Sequence, residues 1–236
     1  MNPNSRILLK LSGEALSGTK ECGYNETSLH LIAENIKQVH STGVQIAIVI
    51  GGGNLLRGAE CSLGISRSSK DHAGMLATVM NGIILTEILS KFGIPTSVLS
   101  AFECGSFVET YSKKKALKLL EGGEVVIFVG GIANPYFTTD SASALRAAEI
   151  DADILIKAST VDGIYDKDPN IDPRAKRFDK LTHIDVIEKR LAVMDMTAFE
   201  ICKQKKIPIR VINFTETEGL INALRGNIGT LVTTGA

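Results

Sequence analysis

The chain alternates short, almost wholly apolar runs with longer segments in which apolar residues recur at helical spacing. The apolar runs predict six strands, at Ile7–Leu11, Gln45–Ile50, Pro95–Leu99, Val125–Val129, Ile154–Lys157 and Ile207–Ile212. Because polar residues hardly interrupt these runs, they are typical of strands buried on both faces of a sheet.

Helical spacing fills most of the intervals between these runs. It predicts four helices, built around the apolar sets of Leu29–Val39, Met75–Ile88, Ala116–Leu120 and Ala142–Ala148. Strands that alternate with helices predict a parallel sheet covered by helices on both faces. No Pro/Ser-rich linker or internal repeat divides the chain, so residues 1–236 are predicted to form one domain, with Tyr165–Lys180 as a polar excursion within it.

Charge and composition narrow the class of protein. Lys+Arg and Asp+Glu number 26 each, a net charge of zero, whereas a nucleic-acid binder needs a surplus of basic residues. No run approaches the roughly 20 apolar residues that span a bilayer, and the N-terminus lacks the pattern of a signal peptide. The four cysteines are scattered and form no CxxC pair. We therefore expect a cytoplasmic protein that binds neither nucleic acid nor a membrane.

The loops after the predicted strands are the candidate ligand sites, because parallel sheets bind ligands at the carboxyl ends of their strands. The first strand leads into Lys10-Leu11-Ser12-Gly13. Glycine lets backbone N–H groups approach a phosphate, and lysine supplies a point charge. This is no Walker A loop, since Thr19 stands where its lysine must be. A solvated lysine at a strand end is the alternative.

The second strand leads into Gly51-Gly52-Gly53-Asn54, followed by Arg57. Three consecutive glycines cost backbone entropy and are tolerated where something approaches the backbone closely. Leu56 replaces the third glycine of GxGxxG, which disfavours a dinucleotide fold. Arg57 suits a forked contact to phosphate, and a simple tight turn is the alternative.

Two further strand ends add charge and helix N-termini. Thr139, Asp140 and Ser141 are good N-cap residues ahead of a helix whose free N–H groups attract an anion, with ordinary capping as the alternative. Lys157 ends a strand and precedes three aspartates that could orient lysines, hold Mg²⁺, accept from ribose hydroxyls or form turns: Asp162, Asp166 and Asp168.

Two aspartates lie where further helices are predicted to begin. Asp71-His72 fits a ligand site and an N-cap equally well. Asp195, in Met194-Asp195-Met196, is interpreted as a cap rather than a site residue.

Together these motifs resemble the amino acid kinase superfamily and, within it, the bacterial uridylate (UMP) kinases. The resemblance runs from Arg6 nearly to the C-terminus. It is carried by five motifs, at Ile7–Leu16, Ile50–Arg57, Asp71–Gly82, Asn134–Asp140 and Val161–Tyr165, with Val193-Met194-Asp195 beyond them. Leu76–Gly82 and Asn134–Asp140 are the most specific to UMP kinases.

The resemblance implies a three-layer α/β/α sandwich around a mainly parallel sheet of about eight strands. It implies the reaction ATP + UMP → ADP + UDP, a step of pyrimidine biosynthesis, by direct in-line transfer with Mg²⁺ accompanying ATP. It further implies a homohexamer that UTP inhibits and, in many members, GTP activates.

Site residues are carried over position by position. Lys10 and Lys157 are expected to be catalytic, with Asp140 or Asp162 orienting them. The expected ATP-binding residues are Lys10, Leu11, Ser12, Gly13, Gly53, Arg57, Ser159, Tyr165 and Asp168. The expected UMP-binding residues are Gly52, Asp71, Ile132, Ala133, Asn134, Pro135, Tyr136, Phe137, Thr138 and Thr139. No protein residue is assigned to a metal.

The chain departs from the family at several places, and two of these departures affect the expected function. Ile132-Ala133 replaces the usual Thr-Gly, which removes a hydroxyl contact to the ligand. Ser17–Gly23, which overlies the GTP-response segment, ends in Glu-Cys-Gly rather than the more common Gly-Phe-Gly, and this leaves GTP activation open.

The charge balance and the lack of an obvious general base favour a phosphate or carboxylate acceptor. ATP and UMP bring about six negative charges, and Lys10, Arg57, Lys157 and Mg²⁺ offset roughly five. An ionised phosphate monoester needs no general base, and the sequence offers no obvious one. Two rivals stay open: a kinase acting on a carboxylate or carbamate, and a nucleotide sensor without turnover.

Overall fold

The structure, a computed structural model, describes residues 4–56, 64–189, 191, 194–214 and 218–235. The strands in these ranges are β1 (Arg6–Leu11), β2 (Gln45–Ile50), β3 (Thr96–Ser100), β4 (Glu109–Thr110), β5 (Val125–Val129), β6 (Ile154–Ser159), β7 (Ile164–Tyr165), β8 (Arg177–Phe178), β9 (Lys180–Thr182), β10 (Ile209–Asn213) and β11 (Thr230–Thr233). The helices are α1 (Glu14–Ser17), α2 (Glu26–His40), α3 (Arg67–Lys91), α4 (Lys113–Glu121), α5 (Thr139–Glu149), α6 (His183–Glu188), α7 (Met196–Lys205) and α8 (Gly219–Arg225).

Nine of these strands form one sheet in the order β4-β3-β5-β2-β1-β6-β10-β11-β9. Every neighbouring pair is parallel except β10 and β11, which run antiparallel. β7 and β8 form a separate antiparallel pair within the predicted excursion. The predicted fold class is confirmed, with nine strands where the resemblance implied about eight.

The apolar strands are buried because helices cover both faces of the sheet. One core cluster lies beneath α2, α3 and α8 and includes Ile36, Leu85 and Leu220. The other lies beneath α4, α5 and α7 and includes Ala144 and Phe199. β1 contributes to both, since its successive side chains point to opposite faces. The result is the expected three-layer α/β/α sandwich.

The helix caps correct two predictions and confirm a third. Ser66 caps α3 by accepting from Ser69 N at 3.1 Å, so Asp71-His72 lies inside the helix and not at its start. Thr138 caps α5, one residue before the predicted capping group. Asp195 caps α7, as predicted, by accepting from Ala198 N at 2.8 Å.

The helix α3 is unusually long and carries two different faces. By length and composition alone it could cross a membrane. One face nevertheless packs into the core. A Cβ on Gly82 would lie 2.5 Å from a Val129 methyl, so the helix backbone packs directly against the sheet. The opposite side leaves large apolar residues exposed, namely Leu76, Met80, Ile83 and Ile84.

Candidate active site

Two lysines and an aspartate form the charged centre of the site. β1 and β6 are parallel neighbours whose register pairs Lys10 directly with Lys157. Asp140, in the first turn of α5, lies between the two ammonium groups. Its Oδ1 is 3.0 Å from Lys10 Nζ, and its Oδ2 accepts from Lys157 Nζ at 2.7 Å. Of the two aspartates expected to orient the lysines, Asp140 has this position.

Burial gives these charges a strong mutual influence. The side chains of Lys10, Asp140 and Lys157 are only 9, 13 and 15 % exposed. Burial lowers the pKa of Lys157 below its usual range, Asp140 raises it and Lys10 lowers it. The cluster keeps one net positive charge, so it can attract an anion into a partly dehydrated site.

The two glycine loops of the site meet without room for side chains. A Cβ on Gly13 would lie 2.4 Å from Gly53 N and 2.7 Å from Asn54 N. A Cβ on Gly52 would lie 2.7 Å from the carbonyl oxygen of Gly74 in α3. Real Cβ atoms do not approach that closely, so glycine is required at both positions by close approach.

A cavity of about 190 Å³ opens beside the second glycine loop. Eight of the predicted site residues line it. Gly53 was assigned to ATP, and the others to UMP: Gly52, Asp71, Ile132, Asn134, Phe137, Thr138 and Thr139. Lys70 also lines it and adds a cation that the sequence analysis missed. Ala133, Pro135 and Tyr136, although predicted for UMP, are absent from its lining.

The segment between β5 and α5 is tied down by α3. Thr78 Oγ1 accepts from Gly130 N at 2.7 Å, and Asp71 Oδ2 accepts from Tyr136 N at 2.7 Å. One carboxylate oxygen of Asp71 therefore holds the loop, while the residue also lines the cavity. Ala133 has a φ of 62°, in the left-handed region that favours glycine, the residue that the resemblance implied there.

The segment is anchored at its other end by Asp195. Its carboxylate accepts from the Thr138 hydroxyl and from Ser141 N at 3.1 Å and Ser141 Oγ at 2.8 Å, besides capping α7. The sequence predicts the cap but not this second role of Asp195. No local pattern indicates it, because Thr138 and Asp195 are far apart in the chain.

A second cavity, of about 500 Å³, lies beyond Lys157. Lys157, Ser159, Tyr165 and Asp168, all predicted on the ATP side, line it. Asp168 also forms a turn, accepting from Asn170 N at 2.9 Å. Lys157 borders this cavity and pairs with Asp140, which directly follows Thr139 of the first cavity. The charged cluster therefore lies between the two cavities.

Asp162 does not orient the lysines, which corrects that part of the catalytic prediction. It accepts from Tyr165 Oη at 2.5 Å and from Arg177 at 2.7 Å. The Tyr165 hydrogen bond lowers the pKa of Asp162 most, and Arg177 lowers it further. Both partners belong to the β7–β8 hairpin, so the carboxylate of Asp162 is tied to that hairpin.

Three further predictions concern backbone, an undescribed residue and metals. Leu11 is fully buried and lies in the ladder with β2, where its carbonyl accepts from Gly51 N at 2.9 Å, so its assignment to ATP stays a prediction. Arg57 lies outside the described residues. Within the ranges that the structure describes, no three His, Cys, Asp or Glu side chains converge as a metal-binding group.

Comparison with known proteins gives one consistent result. The Amino acid kinase family profile matches residues 5–213. The uridylate kinase of Pseudomonas paraeruginosa is 48% identical over 232 residues, which cover 98% of this chain and 95% of the relative. The uridylate kinase of Bartonella henselae is 49% identical over 222 residues, covering 94% and 93%.

Solved structures agree. The UMP kinase from Bacillus anthracis superimposes with a TM-score of 0.95 at 34% identity, covering 100% of this chain and 98% of that one. The UMP kinase from Ureaplasma parvum gives 0.92 at 34% identity, covering 98% and 99%.

The fold and the lysine-containing site therefore define the class: the chain belongs to the amino acid kinase family. Within that family, the relatives reported above are uridylate kinases, and the resemblance found in the sequence is confirmed.

Proposed function

We propose that this protein transfers the γ-phosphoryl group of ATP to UMP and so produces UDP. Relatives at 48% identity over nearly the whole chain carry that activity in their names. The observation that carries the proposal for the site is the Lys10–Asp140–Lys157 cluster between two cavities. UMP is assigned to the smaller cavity, and the adenosine part of ATP to the larger one.

The geometry suits transfer between two phosphates. The transferred group carries negative charge throughout, so catalysis depends on alignment and on neutralisation. Lys10 and Lys157 supply two positive charges. Asp140 compensates one of them and fixes the positions of both ammonium groups. Arg57 is assigned to the ATP phosphates as before, and Lys70 adds a cation on the UMP side. No general base is needed, because the UMP phosphate is already largely ionised.

Mg²⁺ is proposed to arrive with ATP. Both oxygens of Asp140 already contact lysines, which supports a metal held chiefly by phosphate oxygens and water. The ion supplies further neutralisation of the triphosphate.

A substrate panel tests the activity. ADP release is measured with UMP, CMP, dUMP, glutamate, aspartate and carbamate as acceptors, and UDP is identified by chromatography. We expect turnover with UMP. Turnover with a carboxylate or carbamate instead would favour the rival kinase, and tight UMP binding without UDP would indicate a sensor.

Variants test the assigned site. Lys10→Ala and Lys157→Ala are each expected to lower kcat by at least about 100-fold, because each removes a charge that orients or neutralises the transferred phosphoryl group. Near-UV circular dichroism confirms the fold. Glu149→Gln, on the face of α5 that pairs with Arg146, is the control and should keep native kcat. Native turnover in either lysine variant would sink the assignment.

Assembly, regulation and location extend the same proposal. One sheet includes nine of the strands, which supports a single domain. The exposed apolar side of α3, at Leu76, Met80, Ile83 and Ile84, supports self-association into the hexamer that the resemblance implies. UTP inhibition, GTP activation and a cytoplasmic location rest on the resemblance. Sedimentation velocity tests the assembly, and assays with added UTP and GTP test the regulation.

A further inference from the structure

A buried amide in α3 supports the glycine loop of the site. Asn81 is 0 % exposed, and an amide so deep in an apolar helix face is costly unless its hydrogen bonds are made. Its Nδ2 donates to Gly51 O at 2.7 Å and to Asn54 Oδ1 at 2.7 Å. Its Oδ1 accepts from Tyr24 Oη at 3.0 Å and from Asn54 Nδ2 at 3.1 Å. The whole capacity of this amide is directed at the loop and its neighbours.

Asn54 completes the support from the other end of the loop. It is 1 % exposed and forms a reciprocal amide pair with Asn81. Its Nδ2 also donates to Gly23 O at 3.0 Å, and its own carbonyl accepts from Gly23 N at 2.8 Å. The loop Gly51–Gly53 is thus held at both ends, by a carbonyl and by a side chain.

External support matters because the loop cannot position itself. Glycine has little conformational preference, so three in a row take the shape that their neighbours impose. The loop lies between Gly13 on one side and α3 on the other, with no space for a Cβ at Gly13 or Gly52. A shift of the loop would therefore move both phosphate-facing backbones together.

We propose that Asn81 is a positioning residue for phosphoryl transfer. Through Gly51 and Asn54 it holds the glycine loop where the ATP and UMP phosphates are in line, and the Tyr24 hydroxyl holds Asn81 in turn. The inference rests on the proposed placement of that loop between the two nucleotides. Neither Asn81 nor Tyr24 lines either nucleotide cavity, so they act on the reaction only through the loop.

The test compares two variants with a matched control. Asn81→Leu keeps the branched shape of the side chain and removes the amide, and Tyr24→Phe removes only the hydroxyl. The control is Asn35→Leu: Asn35 is a buried amide in α2, 1 % exposed, that donates to Leu31 O and accepts from Leu220 N, away from the loop. Steady-state kinetics with ATP and UMP are measured beside urea unfolding and near-UV circular dichroism.

The expected result is a fall in kcat with little change in KM. In Asn81→Leu kcat falls about 100-fold, the cost of misplacing reacting groups by an ångström, while both KM values change less than about threefold. In Tyr24→Phe kcat falls about three- to tenfold, the effect of one hydrogen bond. The combined variant is no slower than Asn81→Leu, because Tyr24 acts through Asn81. Asn35→Leu loses resistance to urea but keeps native kcat.

Several results overturn the inference. One is a folded Asn81→Leu with native kcat, and another is an equal loss of kcat in Asn35→Leu. If Asn81→Leu does not fold, native kcat in Tyr24→Phe overturns it. Lys10→Ala distinguishes this failure from failure of the proposed site: if Lys10→Ala is inactive while the Asn81 and Tyr24 variants are normal, only the positioning role is lost.

Discussion

Asp140→Asn is the most informative single change, because one carboxylate holds two buried lysines. At separations of 3.0 and 2.7 Å, each attraction has a gross value of about 6 kcal/mol at an effective dielectric constant of 20. Dehydration of the three groups and repulsion between the lysines oppose it. Removing one member of a buried ion pair costs about 3–5 kcal/mol. We expect about 3 kcal/mol of lost stability, since asparagine keeps the shape and one hydrogen-bond acceptor.

Kinetics give the second half of the prediction. The lysines lose their fixed positions, so kcat is expected to fall at least about 100-fold. KM for ATP should not rise, because the change removes a negative charge that competes with the phosphates. The pKa of Lys157 should fall further, since Asp140 is a group that raises it. Urea unfolding, coupled ADP-release kinetics and their pH dependence measure the three effects.

A control on the same helix separates catalysis from stability. Glu149 is also partly buried in α5, pairs with Arg146 at 2.6 Å and accepts from Tyr111 Oη at 2.8 Å. Glu149→Gln should lose stability but keep native kcat. The reasoning is refuted if Asp140→Asn folds and turns over at the native rate, or if Glu149→Gln loses as much kcat as Asp140→Asn.

Two further predictions follow from Lys157 and from Ala133. Burial lowers the pKa of Lys157, so the folded protein loses this proton at a lower pH than a free lysine does, and kcat should fall as pH rises through that lowered pKa. In Lys157→Arg this alkaline fall of kcat should move to higher pH. If the fall does not move, another group causes it. Ala133→Gly should raise the free energy of unfolding in urea by about 0.5–1 kcal/mol, because relief of the strain of a left-handed alanine, about 1–2 kcal/mol, exceeds the entropy cost of glycine. A lower free energy of unfolding would contradict this reasoning.

The strands that could be predicted from the sequence are those with a strong local signal. β1, β2, β5, β6 and β10 are largely apolar runs, and such runs form strands wherever both faces can be covered. β4 and β9 carry no such signal: Glu109 and Thr110 are exposed, and Lys180 is too. These short strands exist because an already formed neighbour offers them hydrogen-bond partners.

Some helix starts could likewise be predicted from neighbouring residues in the chain, and others could not. The helix α3 begins earlier than predicted, because Ser66–Lys70 contains no apolar residue to reveal helical spacing. Only the Ser66–Ser69 hydrogen bond identifies the cap. Asp195 could be identified as a cap from its neighbours along the chain. Its bonds to Thr138 and Ser141 depend on how α5 and α7 pack.

By itself, the sequence determined the order of the main strands and helices, the glycine loops at strand ends, and the two lysines that follow apolar runs. These features depend on interactions between residues close in the chain. The tertiary structure decided which of them meet: the β1–β6 register pairs Lys10 with Lys157, and α5 brings Asp140 between them. It also paired Asp162 with Tyr165 and Arg177, and it joined Tyr24, Asn54 and Asn81. The physical reason is that strand register and helix packing minimise the free energy of the whole core, which no local pattern contains.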